Sequence, residues 1–218
     1  DAKDRSLTER ALYEYLASIF VGRMISAALG ILGIVSGGFG AFRREAIDRV
    51  GAWDVGPGED GDLTLRIRRA GYRIAFAPYA QAYTQAPRTW GAWVRQRRRW
   101  NRGVVRYKCR KHVDMGWFWT PGFRWGNFFL LLNVWFFNIV CLYGFWAAFA
   151  WMLGHASAET PRLLLFAYLA YVAMHVLQVP VILYYSLDRA RDAAICAVIP
   201  LLPFYQLAHK AVRLFAAT

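Results

Sequence analysis

"GPGEDGDLTLRIRRAGYRIAFAP", residues 56–78, decides how the non-membrane part of the chain folds. A Gly56-Pro57-Gly58 turn delivers the acidic cluster Glu59, Asp60 and Asp62 to the start of a helix. Asp62 is placed to cap that helix, "LTLRIRRA", which stops at Gly71. "YRIAFAP" (72–78) and "AQAYTQ" (80–85) follow as short extended segments, so extended and helical stretches alternate, as in part of an α/β domain. Locally the acids have two readings. Carboxylates complement the dipole and free N–H groups of a helix N-terminus. Asp60-Gly61-Asp62 also sets two carboxylates two apart, as a metal would want, but three letters do not support a metal site.

Upstream, "DAKDRS" reads as a loop before a helix whose Leu12, Leu16, Phe20 and Met24 recur every four residues on one face. "GILGIVSGG" reads as a short buried strand carrying Ile31, Leu32, Ile34 and Val35, and "FRREAIDRVGAW" as a short helix ending near Gly51. Between them, Gly37, Gly38 and Phe39 sit where the strand leaves the core. Glycines there admit a ligand close to the backbone, and they equally make a plain tight turn.

Downstream, a helix starting at Thr89 carries a basic block from Arg88 to Lys111 that contains no acid. Within it, "QRRRW" places Gln96, Arg99 and Trp100 at i, i+3 and i+4, on one helical face. That face offers an amide, a fixed cation and an aromatic plane. Arg97 and Arg98 are expected to point toward lipid headgroups or solvent. A juxtamembrane basic helix with an interfacial tryptophan explains the same letters.

The 218-residue chain has net charge +13, with 57% hydrophobic and 17% aromatic residues. Anionic partners suit that charge, whether nucleic acid, acidic lipid or nucleotide phosphate. The apolar character is concentrated after Gly126. Residues 127–153 and 163–185 hold no charge, and each exceeds the ~20 residues that cross a bilayer as a helix. "WFWTPGFRW" (117–125) reads as an interfacial segment ahead of them. A third apolar run from Ala193 is broken by Pro200 and Pro203 and followed by Lys210 and Arg213, which leaves open whether it crosses. The positive-inside rule puts the basic block in the cytosol. Cys109, Cys141 and Cys196 are too scattered for a disulfide framework or a zinc site.

The ordered set "SGGFGAFRREAIDRVGAWD", "EDGDLTLRIRRAGYRIAFAP", "QRRRW" and then membrane spans resembles the family 2 glycosyltransferases. The likeness is to the membrane-embedded synthases that make cellulose, chitin, hyaluronan or poly-N-acetylglucosamine. It covers Leu12 to Gly103 closely and the remainder by architecture. The implied fold is α/β, a partial GT-A-like domain over residues 1–115, followed over 116–218 by an interfacial segment and two to three transmembrane helices.

The resemblance implies that Asp60 is the general base, with Glu59 supporting its loop. Gln96, Arg99 and Trp100 would lie at the mouth of the acceptor channel, Arg99 facing the nucleotide diphosphate and Trp100 under the acceptor sugar. The segment Gly37, Gly38 and Phe39 would lie on the acceptor side. Implied partners are a nucleotide-sugar donor, a polysaccharide acceptor, the lipid bilayer of the cell membrane and an export or accessory subunit, with no nucleic acid. The family also implies Mg2+ or Mn2+, whose Asp-x-Asp ligands are absent from this sequence. The chain opens on Asp1 rather than Met and reads as part of something longer; the family's donor-binding half is not in this sequence, whether it lies upstream stays open, and the isolated chain is expected to be inactive. Two other readings fit parts of the sequence. One is a non-processive glycosyltransferase acting on a lipid or short acceptor. The other is a membrane-anchored binder of anionic lipid or nucleic acid, which leaves Asp60 and the glycine turns without a role.

Overall fold

A computed structural model describes residues 2–54 and 56–217, with side chains from Leu7 to Phe215. Among the described residues every regular element is a helix, and none is a β-strand. Helix α1, Ala2–Ala17, continues through a π-helical turn, Ser18–Arg23, into α2, Met24–Ala28. The expected N-terminal loop is therefore helical. Two short helices follow, α3 (Arg44–Val50) and α4 (Glu59–Arg69), and then α5 (Trp90–Val104) with the π turn Val105–Lys111. Thr89 caps α5 by accepting the Ala92 N–H at 3.3 Å.

The expected strand 31–35 and the expected extended segments 72–78 and 80–85 have no regular secondary structure and pair in no ladder. Side chains, not neighbouring strands, satisfy part of their backbone. Arg68 donates to the carbonyls of Gly30 (2.7 Å) and Leu32 (3.2 Å), and Val35 N–H donates to Thr64 Oγ1 at 2.9 Å. A strand needs a partner to be one, and α4 has taken that place along 30–35.

The second half comprises α6 (Trp125–Trp135), a π turn (Phe136–Val140) and α7 (Cys141–Gly154), then α8 (Thr160–Val176) and α9 (Val179–Tyr185). Last come α10 (Arg189–Cys196), a 3-10 turn (Ile199–Leu201) and α11 (Leu202–Ala217). Three stretches are long and apolar enough to cross a membrane: Trp125–Gly154, Thr160–Tyr185 and Arg189–Phe215. Trp117, Phe118 and Trp119 are exposed just ahead of the first, and Trp125 at its start, as interfacial aromatics are.

Three apolar clusters join the helices of the first half to those of the second. Leu65 and Tyr107 pack with Leu130, Leu131 and Val134 of α6. Leu7 and Ala11 of α1 and Trp93 of α5 pack with Tyr205 of α11. Tyr13 and Phe20 pack with Ile182, Ile195 and Leu202. Burial of this kind stabilises by ~25 cal/mol per Å² of apolar surface removed from water, so these junctions fix α4 and α5 relative to the membrane helices.

Candidate functional site

Helix α4 begins at Glu59, three residues before the expected cap. Asp62 N–H donates to the Gly58 carbonyl at 2.9 Å, a bond of the first helical turn, so Asp62 lies inside the helix. Gly58 takes the N-cap position with φ 85°, a left-handed conformation that favours glycine. Its packing demands glycine as well: a Cβ there would stand 2.7 Å from the Tyr107 ring and 2.8 Å from Gly103 Cα. The acidic turn of α4 is thus held directly on the end of the basic helix α5.

Asp60 faces the glycine turn. Its Oδ2 accepts the Gly37 N–H at 3.2 Å and its Oδ1 accepts the Gly61 N–H at 2.8 Å. Thr64 Oγ1 donates to the Asp60 carbonyl at 2.7 Å while accepting from Val35 N–H, so the turn and α4 move together. Glu59 is exposed beside Asp60.

Asp62 has a different fate. It is buried, accepting from Arg66 Nε and Lys111 Nζ, each at 3.0 Å, and facing His112 Nε2 at 2.7 Å. Burial works against its charge, but the hydrogen bonds from Lys111 and His112 outweigh it and hold the carboxyl below its usual range. Burial also pulls the His112 imidazole below its ordinary value, against the Asp62 carboxylate. The favoured state pairs a carboxylate with a neutral histidine that donates from Nε2. With Asp62 so engaged, Asp60-Gly61-Asp62 does not present two free carboxylates. No cluster of three metal-ligating side chains occurs among the described residues, so they do not fit the divalent ion that the resemblance implies.

A cleft of about 1160 Å³ opens between α1, the 32–43 loop, the 71–84 segment and α5. Gly38, Phe39, Gln96 and Trp100 line it. Arg99 does not: it is exposed, and Arg97 takes its place in the wall. The expectation that Arg97 faces lipid or solvent is overturned, since its side chain is 4% exposed and ion-paired to Glu14 at 2.8 Å. Helical geometry gives the reason. Arg97 lies four residues beyond the fully buried Trp93, on the inward stripe of α5. Arg98 is exposed as expected.

Reading the sequence missed Glu14, Tyr15, Arg23 and Arg97. Tyr15 donates its hydroxyl to Gln96 Oε1 at 3.1 Å. Arg23 lines the cleft, where burial draws its guanidinium pKa down and the charge of Asp60 opposes the shift. The signal for Glu14 was present, as it is the one acid among the apolar residues of 11–22.

This constellation sits in a chain that belongs to the glycosyltransferases: the profile described as "Glycosyl transferase family group 2" matches residues 4–206. Among curated proteins, the chain is 47% identical over 64 residues to "Probable glycosyltransferase YdaM" of Bacillus subtilis, covering 29% of this chain and 15% of that protein. It is 32% identical over 91 residues to "Poly-beta-1,6-N-acetyl-D-glucosamine synthase" of Staphylococcus aureus, covering 41% of this chain and 22% of that one. The matched segments are thus less than a quarter of either relative's length. No solved structure matches the chain.

Proposed function

We propose that this chain is the acceptor-side part of an inverting β-glycosyltransferase that extends a polysaccharide, with Asp60 as its general base. The observation that carries this reading is the seating of Asp60 on the Gly37 turn, next to the cleft that Gln96 and Trp100 line. Residues 1–115 form the transfer part and 116–218 the interfacial segment and membrane helices. The segments 31–35 and 72–78 become strands of an α/β, GT-A-like domain once partnered. Likeness to a poly-β-1,6-N-acetylglucosamine synthase supports a polymer as product. The basic block supports a cytosolic transfer part on a multi-pass cell-membrane protein.

In the proposed reaction the acceptor hydroxyl oxygen attacks the anomeric carbon of a nucleotide sugar, of the UDP type. The bond from that carbon to the diphosphate oxygen breaks from the opposite face, inverting configuration. The hydroxyl proton passes to the Asp60 carboxylate, and the nucleoside diphosphate leaves. Trp100 stacks on the acceptor sugar, and Gln96, held by Tyr15, bonds its hydroxyls. Arg99, on the exposed side of α5, meets the departing diphosphate from outside the cleft. Glu59 supports the loop, and Gly37, Gly38 and Phe39 border the acceptor.

The test is Asp60→Asn in the full-length protein. Transfer should fall ~10²–10⁴-fold, as loss of a general base does, while nucleotide-sugar binding by calorimetry stays unchanged. Turnover retained by Asp60→Asn would remove the assignment. The length distribution of the product separates a processive enzyme from one adding single sugars.

A further inference from the structure

Among Arg97, Arg98, Arg99 and Arg102, only Arg97 is buried. Withdrawing a guanidinium from water costs several kcal/mol unless partners replace the solvent; here both terminal nitrogens are partnered, while Nε is buried without a hydrogen-bond partner. Arg97 Nη1 donates to Glu14 Oε1 at 3.1 Å, and its Nη2 lies 2.8 Å from Glu14 Oε2. This is the two-pronged geometry that a planar fork and a carboxylate prefer. Glu14 is itself held by the Tyr205 hydroxyl, which donates to Oε2 at 2.6 Å and accepts from Trp93 Nε1 at 2.7 Å.

The face of this fixed cation lies against Trp100. Arg97 Cζ is 4.5 Å from the centre of the Trp100 ring, with the Tyr15 and Trp93 rings at 5.7 and 5.8 Å. Trp100 is 42% exposed at the cleft wall, where an unsupported indole would turn about its χ angles. A cation held below one side of the ring selects one orientation. Glu14 is flanked by two further ties. The Tyr13 hydroxyl reaches His175 Nδ1 of α8 at 3.1 Å, and the Tyr15 hydroxyl reaches Gln96. Three successive residues of α1 therefore engage a membrane helix, the buried arginine and the cleft amide.

We propose that Glu14 and Arg97 are positioning residues that set the plane of Trp100 for stacking on the acceptor sugar. This rests on the reading of Trp100 as the acceptor platform. Both residues line the cleft, and the role proposed for them is exerted through Trp100. The stack acts by removing the rotational freedom that acceptor binding would otherwise have to remove.

The experiment uses the full-length protein in detergent or nanodiscs, with nucleotide-sugar donor and an oligosaccharide acceptor. Arg97→Lys keeps a charge for Glu14 but loses the planar face under the indole. We expect the acceptor KM to rise about five- to tenfold, with the donor KM and the acceptor-free hydrolysis of donor unchanged. In a Trp100→Ala background, Arg97→Lys should add nothing, because its target has gone. Glu14→Gln, which keeps the side-chain volume, should shift the acceptor KM the same way and carries the test if Arg97→Lys does not accumulate. Unchanged acceptor KM, equal losses of hydrolysis and extension, or full additivity with Trp100→Ala would each overturn the positioning role. Trp100→Ala alone leaving extension intact would instead remove the platform reading beneath it.

Discussion

The first turn of α4 and the basic turn of α5 each carry two like charges two residues apart, and in each the pair divides. Asp60 reaches the glycine turn at the cleft, while Asp62 is buried among Lys111, His112 and Arg66. Arg97 is buried on Glu14, while Arg99 is exposed. At 3.6 residues per turn, positions i and i+2 are ~200° apart, so one residue of each pair must face inward once the helix is docked. Identical chemistry thus splits into structural and accessible members. The comparison teaches that in such a cluster the helix face, not the residue type, decides which charge is available to a ligand.

The largest test of that division is Asp62→Ala set against Asp60→Asn. Removing the Asp62 carboxylate takes away charge-assisted hydrogen bonds and leaves the His112 donor buried without an acceptor. We expect a stability loss of about 3 kcal/mol, read as a lowered thermal midpoint in detergent. Asp60→Asn should leave that midpoint within about 0.5 kcal/mol of the parent while abolishing transfer. Equal destabilisation by both would mean that the two carboxylates are not divided into structural and accessible roles.

A smaller effect follows from pH. The folded His112 has its pKa below the ordinary 6.5, so the unfolded chain takes up a proton that the folded one refuses. Asp62, also lowered, keeps its charge in the fold below the pH at which an unfolded aspartate loses it. Both contributions are complete above the unfolded values and are lost as pH falls through the folded ones. Stability should begin to fall below about pH 6.5, and His112→Gln should flatten the first part of that decline. Arg69, Lys111 and Asp114 stand around the imidazole, so the informative quantity is the difference between the two pH profiles. Parallel profiles would show that His112 titrates alike in the folded and unfolded chain.

Much of this was legible in the sequence, because apolar periodicity and helix stops are local. The stop of α4 before Gly71, the α3 stop at Gly51, the Thr89 cap of α5 and the first two apolar spans all follow from neighbouring letters. The meeting of Asp60 with Gly37 was not legible, since 23 residues separate them. No ladder forms among the described residues, because an apolar run near glycines describes a buried segment whether or not a strand lies beside it. Glu14 and Arg97 lie 83 residues apart, and nothing local in either segment names the other. The third span stayed open for a similar reason. A third of its apolar window is buried, against 6% for the second, because Tyr205 docks it on α5 and Arg213 bonds Asn138.

The smallest effect concerns the exposed arginines. Arg99→Gln should leave stability within about 0.5 kcal/mol of the parent, since a solvated guanidinium contributes little to a folded state. Its charge belongs to whatever approaches α5 from outside the cleft. The substitution should therefore weaken the affinity for nucleoside diphosphate in the full-length protein and make it less salt-sensitive, while the acceptor KM stays fixed. That is the mirror image of Arg97→Lys, which should move the acceptor KM and spare the donor. If Arg99→Gln instead moves the acceptor KM and leaves diphosphate affinity untouched, the two arginines serve the same ligand, and the division of α5 into a buried positioning face and an exposed charged face fails.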